Sequence, residues 1–273
     1  MPLSTEKKFL YSRVTIIALF AGGFIFAFAG FNGFPLWYGG FVFCFWSALG
    51  MLNYSERSSI WLLHARPWFF ALFYASLAST AFLADTFGLG MHLWFYPFYE
   101  GWGLLWVWLV LYPIGGLTVL ELLYVLSGWF GEHLRFEEHK GTAWHRFLDV
   151  FEYIVFLSLI AAVAAGAAGI EIAITAPLTL ILAMVWIPAA LVKFWSHTRH
   201  PGHYATFIAL TALLAAISHG LPGTIAREWV YLDAPFLALS ILGLPLFVWI
   251  DWFLFTLFPL RLWLFITLHP RVR

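Results

Sequence analysis

Residues 115–127, GGLTVLELLYVLS, place one carboxylic acid, Glu121, inside an apolar run long enough to cross a membrane. Residues 242–258, LGLPLFVWIDWFLFTLF, place Asp251 in a similar setting. A charged side chain at bilayer depth costs at least roughly 2.5–3.5 kcal/mol, so such residues are rare and usually face the interior of a helix bundle. Glu121 and Asp251 are therefore the leading candidates for functional residues.

The composition of the whole chain indicates a membrane protein. Of the 273 residues, 63% are hydrophobic and 10% are charged, whereas soluble domains average about 45–50% and about 25%. The apolar runs are continuous rather than alternating, which argues against a transmembrane β-barrel and favours α-helices. The formal net charge of zero argues against a nucleic-acid partner, and the single cysteine, Cys44, excludes a disulfide framework and a cysteine metal site.

The lengths of the apolar runs predict an all-α bundle of about eight transmembrane helices, because about 20 apolar residues span a bilayer. The predicted spans are residues 14–32, 34–53, 67–84, 101–128, 147–168, 173–195, 203–219 and 234–258, and residues 261–268 form an extra turn along the interface. In this topology every Lys and Arg except Arg227 falls on one side. The positive-inside rule then places both termini in the cytoplasm, in a bacterial or archaeal inner membrane.

A degenerate repeat relates the third and fourth spans to the seventh and eighth. In each unit a polar residue ends one span, a Trp-x-Tyr loop follows, and the next span holds an acid. The first unit contains Asp85, Trp94, Tyr96 and Glu121, and the second contains His219, Trp229, Tyr231 and Asp251. We expect a single transmembrane domain, residues 1–273, with internal halves of about 1–130 and 145–265. The two acids should lie at matching heights and face one apolar chamber.

These motifs resemble the integral-membrane lycopene cyclase domains and the related carotenoid hydratases. Residues 116–121, GLTVLE, are similar to the Gly-x-Pro-x-Glu-Glu core of those domains, with Thr118 in place of the proline and only the second acid kept. Residues 243–246, GLPL, resemble the hydratase form. The resemblance covers about 67–130 and 173–260. It implies an isoprenoid- or carotenoid-modifying enzyme that protonates a double bond for cyclisation or hydration and needs no cofactor.

The residues themselves suit that chemistry. Burial in hydrocarbon favours the neutral form of a carboxyl group, so Glu121 can act as the proton donor and Asp251 as a second acid or as a base. Aromatic rings stabilise a carbocation by roughly 2 kcal/mol in a dry site, and the chain has 16 Trp. The predicted contacts of the apolar substrate are Asp85, Trp94, Tyr96, Glu152, His219, Trp229 and Tyr231.

Other functions fit parts of the same sequence. Each buried acid can simply hydrogen-bond a neighbouring helix, as in a non-catalytic subunit that binds lipid or pigment within a homo-oligomer or larger membrane complex. Gly and Pro in the fourth and eighth spans are compatible with a small-molecule transporter. Residues 199–204, RHPGHY, are similar to a segment of isoprenylcysteine methyltransferases. Two histidine groups, His133, His139 and His145 and then His197, His200 and His203, lack the spacing of a metal site.

Overall fold

The computed structural model describes residues 5–55, 67–129, 143–196, 201–233 and 237–268, and these form an all-helical protein. In chain order the helices are α1 (Thr5–Phe31), α2 (Trp37–Ser55), α3 (Pro67–Gly90), α4 (Gly103–Trp106), α5 (Tyr112–Trp129), α6 (Ala143–Ala167), α7 (Ile172–Ser196), α8 (Pro201–Ala215), α9 (Leu221–Ile225) and α10 (Leu246–Leu268). A π-helical turn joins α4 to α5 at Val107–Leu111, and another joins α8 to α9 at Ala216–Gly220.

Within the described ranges, six helical stretches are long and apolar enough to cross a membrane. They are Ser12–Phe31, Pro67–Gly90, Gly103–Trp129, Arg146–Ala167, Gly202–Ile225 and Leu246–Leu264, and α7 contributes a shorter apolar helix, Pro177–Lys193. Large apolar side chains cover the outside of the bundle, as Phe28 (70% exposed) shows. Such a surface requires lipid rather than water around it. The six apolar helical stretches and the apolar outer surface confirm the prediction of a multi-pass, all-α membrane protein.

The first two helices form a hairpin with a tight turn at residues 32–35. Gly33 has a φ of 85°, a left-handed conformation that glycine adopts without steric cost. The Asn32 side chain donates a hydrogen bond to the Phe28 carbonyl at 2.8 Å and closes the end of α1. Helices α6 and α7 pack together as a second hairpin, and the main core lies among α3, α5, α6, α7, α8 and α10.

The predicted bounds of the last span, 234–258, are wrong. Helix α10 runs from Leu246 to Leu268 without a break, so residues 261–268 continue this helix instead of forming a separate turn. Arg261 can remain inside this helix because Glu152 of α6 pairs with it. Asp251 therefore lies near the start of α10, about 8 Å along the helix axis, whereas Glu121 lies about 12 Å before the end of α5, at the opposite end of the bundle. The two acids are not at matching heights.

The two Trp-x-Tyr loops pair with each other at one end of the bundle, which we call the loop end. Strand β1 (Trp94–Phe95) pairs antiparallel with β2 (Val230–Tyr231), with Trp94 opposite Tyr231. A second small hairpin, β3 (Ser240–Ile241) with β4 (Leu244–Pro245), leads into α10.

The turns that precede these strands have the same geometry. The Leu93 amide donates to the Gly88 carbonyl at 2.9 Å, and the Glu228 amide donates to the Gly223 carbonyl at 2.8 Å. A Cβ added to Gly88 would lie 2.2 Å from the Trp94 ring, and one added to Gly223 would lie 2.3 Å from the Trp229 ring. The two segments of the predicted repeat therefore share one turn geometry.

The repeat does not make Asp85 and His219 equivalent. Asp85 precedes its turn glycine, Gly88, by three residues, whereas His219 precedes Gly223 by four. The π-helical turn Ala216–Gly220 accounts for this shift, because such a turn accommodates one residue more than an α-helical turn. Gly220 is therefore the positional counterpart of Asp85.

Candidate functional site

Asp85 is fully buried near the end of α3 and is surrounded by hydrogen-bond donors from aromatic side chains. Its Oδ1 accepts from Tyr96 Oη at 2.8 Å, Tyr112 Oη at 2.8 Å and Trp94 Nε1 at 3.2 Å, and its Oδ2 accepts from Trp108 Nε1 at 3.0 Å. A carboxylate offers about four lone-pair positions, so these donors nearly saturate it. Burial and the neighbouring Asp85 carboxylate hold the pKa of the Tyr96 phenol well above its usual range, which keeps Tyr96 a donor.

Asp251 has a different environment although it lies nearby. Its carboxyl group is close enough to Asp85 and to the Tyr112 and Tyr231 phenols to interact with them electrostatically. Yet Asp251 remains accessible, and it accepts no hydrogen bond from the residues that the structure describes. Around it, Asp85 is fully buried, and Tyr112, Tyr231 and Phe255 are half-buried. We call these five residues, Asp85, Tyr112, Tyr231, Asp251 and Phe255, the Asp251 site.

Aromatic rings border the Asp251 site. The Tyr112 and Phe255 rings have centroids 5.8 Å apart, and the Trp252 and Phe255 rings 5.4 Å apart. Phe247 lies against Tyr231 at 6.2 Å and Trp94 at 6.3 Å. Aromatic faces attract cations, most strongly where water is excluded. The arrangement therefore combines one accessible carboxyl group with surfaces that tolerate positive charge.

His219 lies beside this site and is buried at the loop end of the bundle. Its Nδ1 is 3.3 Å from the Tyr38 hydroxyl, and its ring packs against Phe41 at 5.2 Å and Trp252 at 5.6 Å. The Trp252 ring therefore packs against both His219 and Phe255 of the Asp251 site.

Glu121 is not part of the Asp251 site. It is buried in α5, and the Asn53 side chain of α2 donates hydrogen bonds both to its carboxylate and to its backbone oxygen, the latter at 2.9 Å. Nine residues separate Glu121 from Tyr112 along the helix, about 14 Å at 1.5 Å per residue. The expected chamber shared by Glu121 and Asp251 is not what the structure shows; Asp251 is grouped with Asp85 instead.

Glu152 also lies apart, at the end of the bundle opposite the loops. Its carboxylate is fully buried and binds Arg261 through both oxygens, with Arg261 Nε at 2.9 and 3.0 Å. It also accepts from Trp186 Nε1 at 3.0 Å and from Lys193 Nζ at 3.2 Å. These contacts join α6, α7 and α10, so the environment of Glu152 is that of a structural ion-pair network.

Of the predicted substrate contacts, Trp94 and Tyr96 contribute donors to Asp85, and Tyr231 lies in the Asp251 site. Trp229 packs edge-on against Tyr38, with ring centroids 5.1 Å apart. Sequence reasoning missed Tyr112 and Asn53, which hold Asp85 and Glu121 respectively. Each is a polar side chain within or at the end of an apolar run, the same signal that identified the acids.

The histidine groups fall mostly outside the described residues: His133, His139, His197 and His200 do, as does the side chain of His145. Among the side chains that are described, no group of three or more His, Cys, Asp or Glu is placed to hold a metal ion. Comparisons with protein-family models, with curated proteins and with solved structures found no match to this chain.

Proposed function

We propose that this protein is an integral-membrane enzyme that protonates a carbon–carbon double bond of an apolar isoprenoid or carotenoid, leading to cyclisation or hydration. We infer that it has eight spans and cytoplasmic termini, as the charge distribution predicts. The observation that carries the proposal is the accessible carboxyl group of Asp251, which accepts no hydrogen bond from the described residues and lies near Asp85 and half-buried aromatic residues. A substrate from the bilayer needs no aqueous path to such a site.

The grouping of two carboxyls changes which residue is the proposed donor. Two neighbouring carboxylates repel each other when both are ionised, so one of them tends to keep a proton. The four hydrogen bonds to Asp85 stabilise its charged form, which leaves the proton on Asp251. Asp251 then replaces Glu121 as the proposed proton donor, since the Glu121 carboxylate already accepts a hydrogen bond from the Asn53 side chain.

In this mechanism Asp251 transfers its proton to one alkene carbon, and positive charge develops on the other. The Phe255 and Trp252 rings and the Asp85 carboxylate stabilise that charge. In cyclisation, a second double bond of the substrate attacks the cation to close the ring and leave a new cation, and the Asp251 carboxylate then takes a proton from a carbon beside it. In hydration, water adds to the cation and releases a proton to the Asp251 carboxylate. Both routes restore the acid and require no redox cofactor.

A non-catalytic subunit that binds pigment or lipid is the second candidate. Three buried acids favour this candidate: Asp85, Glu121 and Glu152. Each of them accepts hydrogen bonds from residues of other helices or loops. Such contacts stabilise a bundle without any chemistry.

Expression in a lycopene-accumulating bacterial host separates the two candidates. The enzyme proposal predicts a new pigment by chromatography, lost in Asp251→Asn and retained in the matched control Asp233→Asn, an exposed loop acid. Glu121→Gln should also retain product, because the amide can still accept a hydrogen bond from Asn53. A product that persists in a folded Asp251→Asn protein refutes the mechanism, and unmodified pigment that co-purifies with the wild type supports the binding subunit.

A further inference from the structure

The small hairpin that leads into α10 is both apolar and exposed, although it belongs to a connection at the loop end and not to a helix. Its strands are β3 and β4, and Leu242 and Gly243 form its turn. Leu239, Ile241 and Leu242 are 58%, 53% and 69% exposed. Residues 234–250 contain no charged side chain. A contiguous apolar tip of this kind marks a contact with something other than water.

The residues of the turn are unusual for a hairpin in water. Leu242 and Gly243 have φ values of 53° and 79°. Positive φ at both positions of a two-residue loop is the pattern of a type I′ turn, in which Asn or Asp followed by Gly is strongly preferred. Leucine is sterically disfavoured in the left-handed region and forms none of the local hydrogen bonds that Asn and Asp form there. An apolar side chain therefore stands where a water-exposed turn favours a polar one.

Internal hydrogen bonds satisfy backbone groups of this hairpin beyond its two strands. The Leu246 amide donates to the Leu239 carbonyl at 2.7 Å, and Trp249 Nε1 donates to the Ile241 carbonyl at 3.3 Å. Backbone groups close to hydrocarbon need such partners because water is scarce there. The same bonds tie the hairpin to the first turn of α10, where the apolar stretch Leu246–Leu264 begins.

Charged residues of the same connection show where water reaches the loop end. Arg227 and Asp233 are exposed, and both precede the hairpin. The Asp233 amide donates to the His92 carbonyl at 3.1 Å, so Asp233 is held beside the paired strands β1 and β2. The boundary between water and lipid is therefore expected between Asp233 and the hairpin.

We propose that this hairpin, residues 237–245, is embedded in the bilayer at the loop end, with Leu239, Ile241 and Leu242 between the lipid headgroups and the acyl chains. Two observations favour lipid over a second protein as the partner. The hairpin continues directly into a stretch long and apolar enough to cross the membrane. Trp249, which bonds to it, is a residue type enriched at membrane interfaces. The proposal does not depend on the reaction proposed above.

Site-directed fluorescence of the full-length protein in phosphatidylcholine vesicles tests the embedding. In a Cys44→Ser background, Leu242→Cys is labelled with the environment-sensitive dye NBD, and Asp233→Cys is the matched control. A lipid nitroxide placed high on the acyl chain should quench the dye at position 242 at least about twofold more than at position 233, because interfacial segments lie about 5–10 Å into the boundary of headgroups and acyl chains. Iodide, present on both sides of the membrane, should quench the two positions in the opposite order.

Leu239→Cys replaces Leu242→Cys if the latter does not fold, as judged by a Tm in detergent equal to that of the Cys44→Ser parent. Two results overturn the proposal. One is lipid quenching at the hairpin no stronger than at position 233, which places the tip in water. The other is quenching by neither agent, which means that protein, such as a second copy of the chain, covers the tip.

Discussion

The ion-pair network around Glu152 allows the most direct test of how this bundle is stabilised. Glu152 and Arg261 have side-chain exposures of 0% and 11%, and Arg261 binds both carboxylate oxygens. Lys193 also reaches Glu152, at 3.2 Å, but it has a second acid in Asp149, at 3.1 Å. Glu152 therefore has a second cationic partner, Lys193, in addition to Arg261.

This asymmetry sets the expected magnitudes. Glu152→Met leaves the buried guanidinium of Arg261 without its carboxylate, and breaking a buried pair in this way costs about 3–5 kcal/mol. Arg261→Met leaves Glu152 with Lys193 and Trp186, so the loss is closer to that of charged hydrogen bonds, about 1.5–3 kcal/mol. The double variant should be more stable than the sum of the two losses predicts, because the residues interact directly.

Thermal unfolding in detergent measures these differences. The chain has one cysteine, Cys44, which is partly buried, so a thiol-reactive fluorescent dye reports unfolding. At about 2–4 °C per kcal/mol for a protein of this size, Glu152→Met should lower Tm by about 6–20 °C and Arg261→Met by less. Asp149→Asn, at a more exposed partner of Lys193, is the matched control and should change Tm little.

The reasoning is refuted if Arg261→Met is as destabilising as Glu152→Met, or if the losses are additive. Equal losses would mean that Lys193 and Trp186 do not support the carboxylate once Arg261 is gone. Additive losses would mean that the two side chains stabilise the bundle independently.

Three further predictions concern the loop end and the α2–α5 contact. Gly88→Ala should destabilise the protein by about 1–3 kcal/mol through overpacking against Trp94, whereas Gly90→Ala, which has open space around it, should be neutral or slightly stabilising in the same unfolding assay. Because burial raises the pKa of Glu228 from 4.5 to about 7, its contribution to stability is fully present below pH 4.5 and is lost as pH rises through 7, by up to about 3 kcal/mol. Unfolding measured from pH 4 to 8 should show a larger decline in the wild type than in Glu228→Gln, and the difference between the two is the contribution of Glu228. Asn53→Ala should cost about 1–3 kcal/mol because it leaves the buried acid of α5 without its donor, and an Asn53→Ala protein as stable as the wild type would contradict that contact.

The sequence by itself determined the class of this protein and much of its secondary structure. Continuous apolar runs with few charges can be satisfied only by helices in lipid, so helix positions followed from composition and length. The repeated Trp-x-Tyr motif was also visible in the sequence, whereas the structure showed that the two loops pair and that Gly88 and Gly223 precede the motif by the same interval. Steric contact between each glycine and its tryptophan makes that interval a structural requirement.

Only the tertiary structure decided which acids lie together. Glu121 and Asp251 look alike in sequence, since each is a lone carboxylic acid in an apolar run. Their depths depend on where each helix ends, and the partner of Arg261, which lets α10 continue to Leu268, comes from a distant helix. Likewise, no local pattern shows that Asn53 reaches Glu121 while Asp251 keeps an accessible carboxyl beside Asp85, because hydrogen-bond partners are fixed by packing between helices.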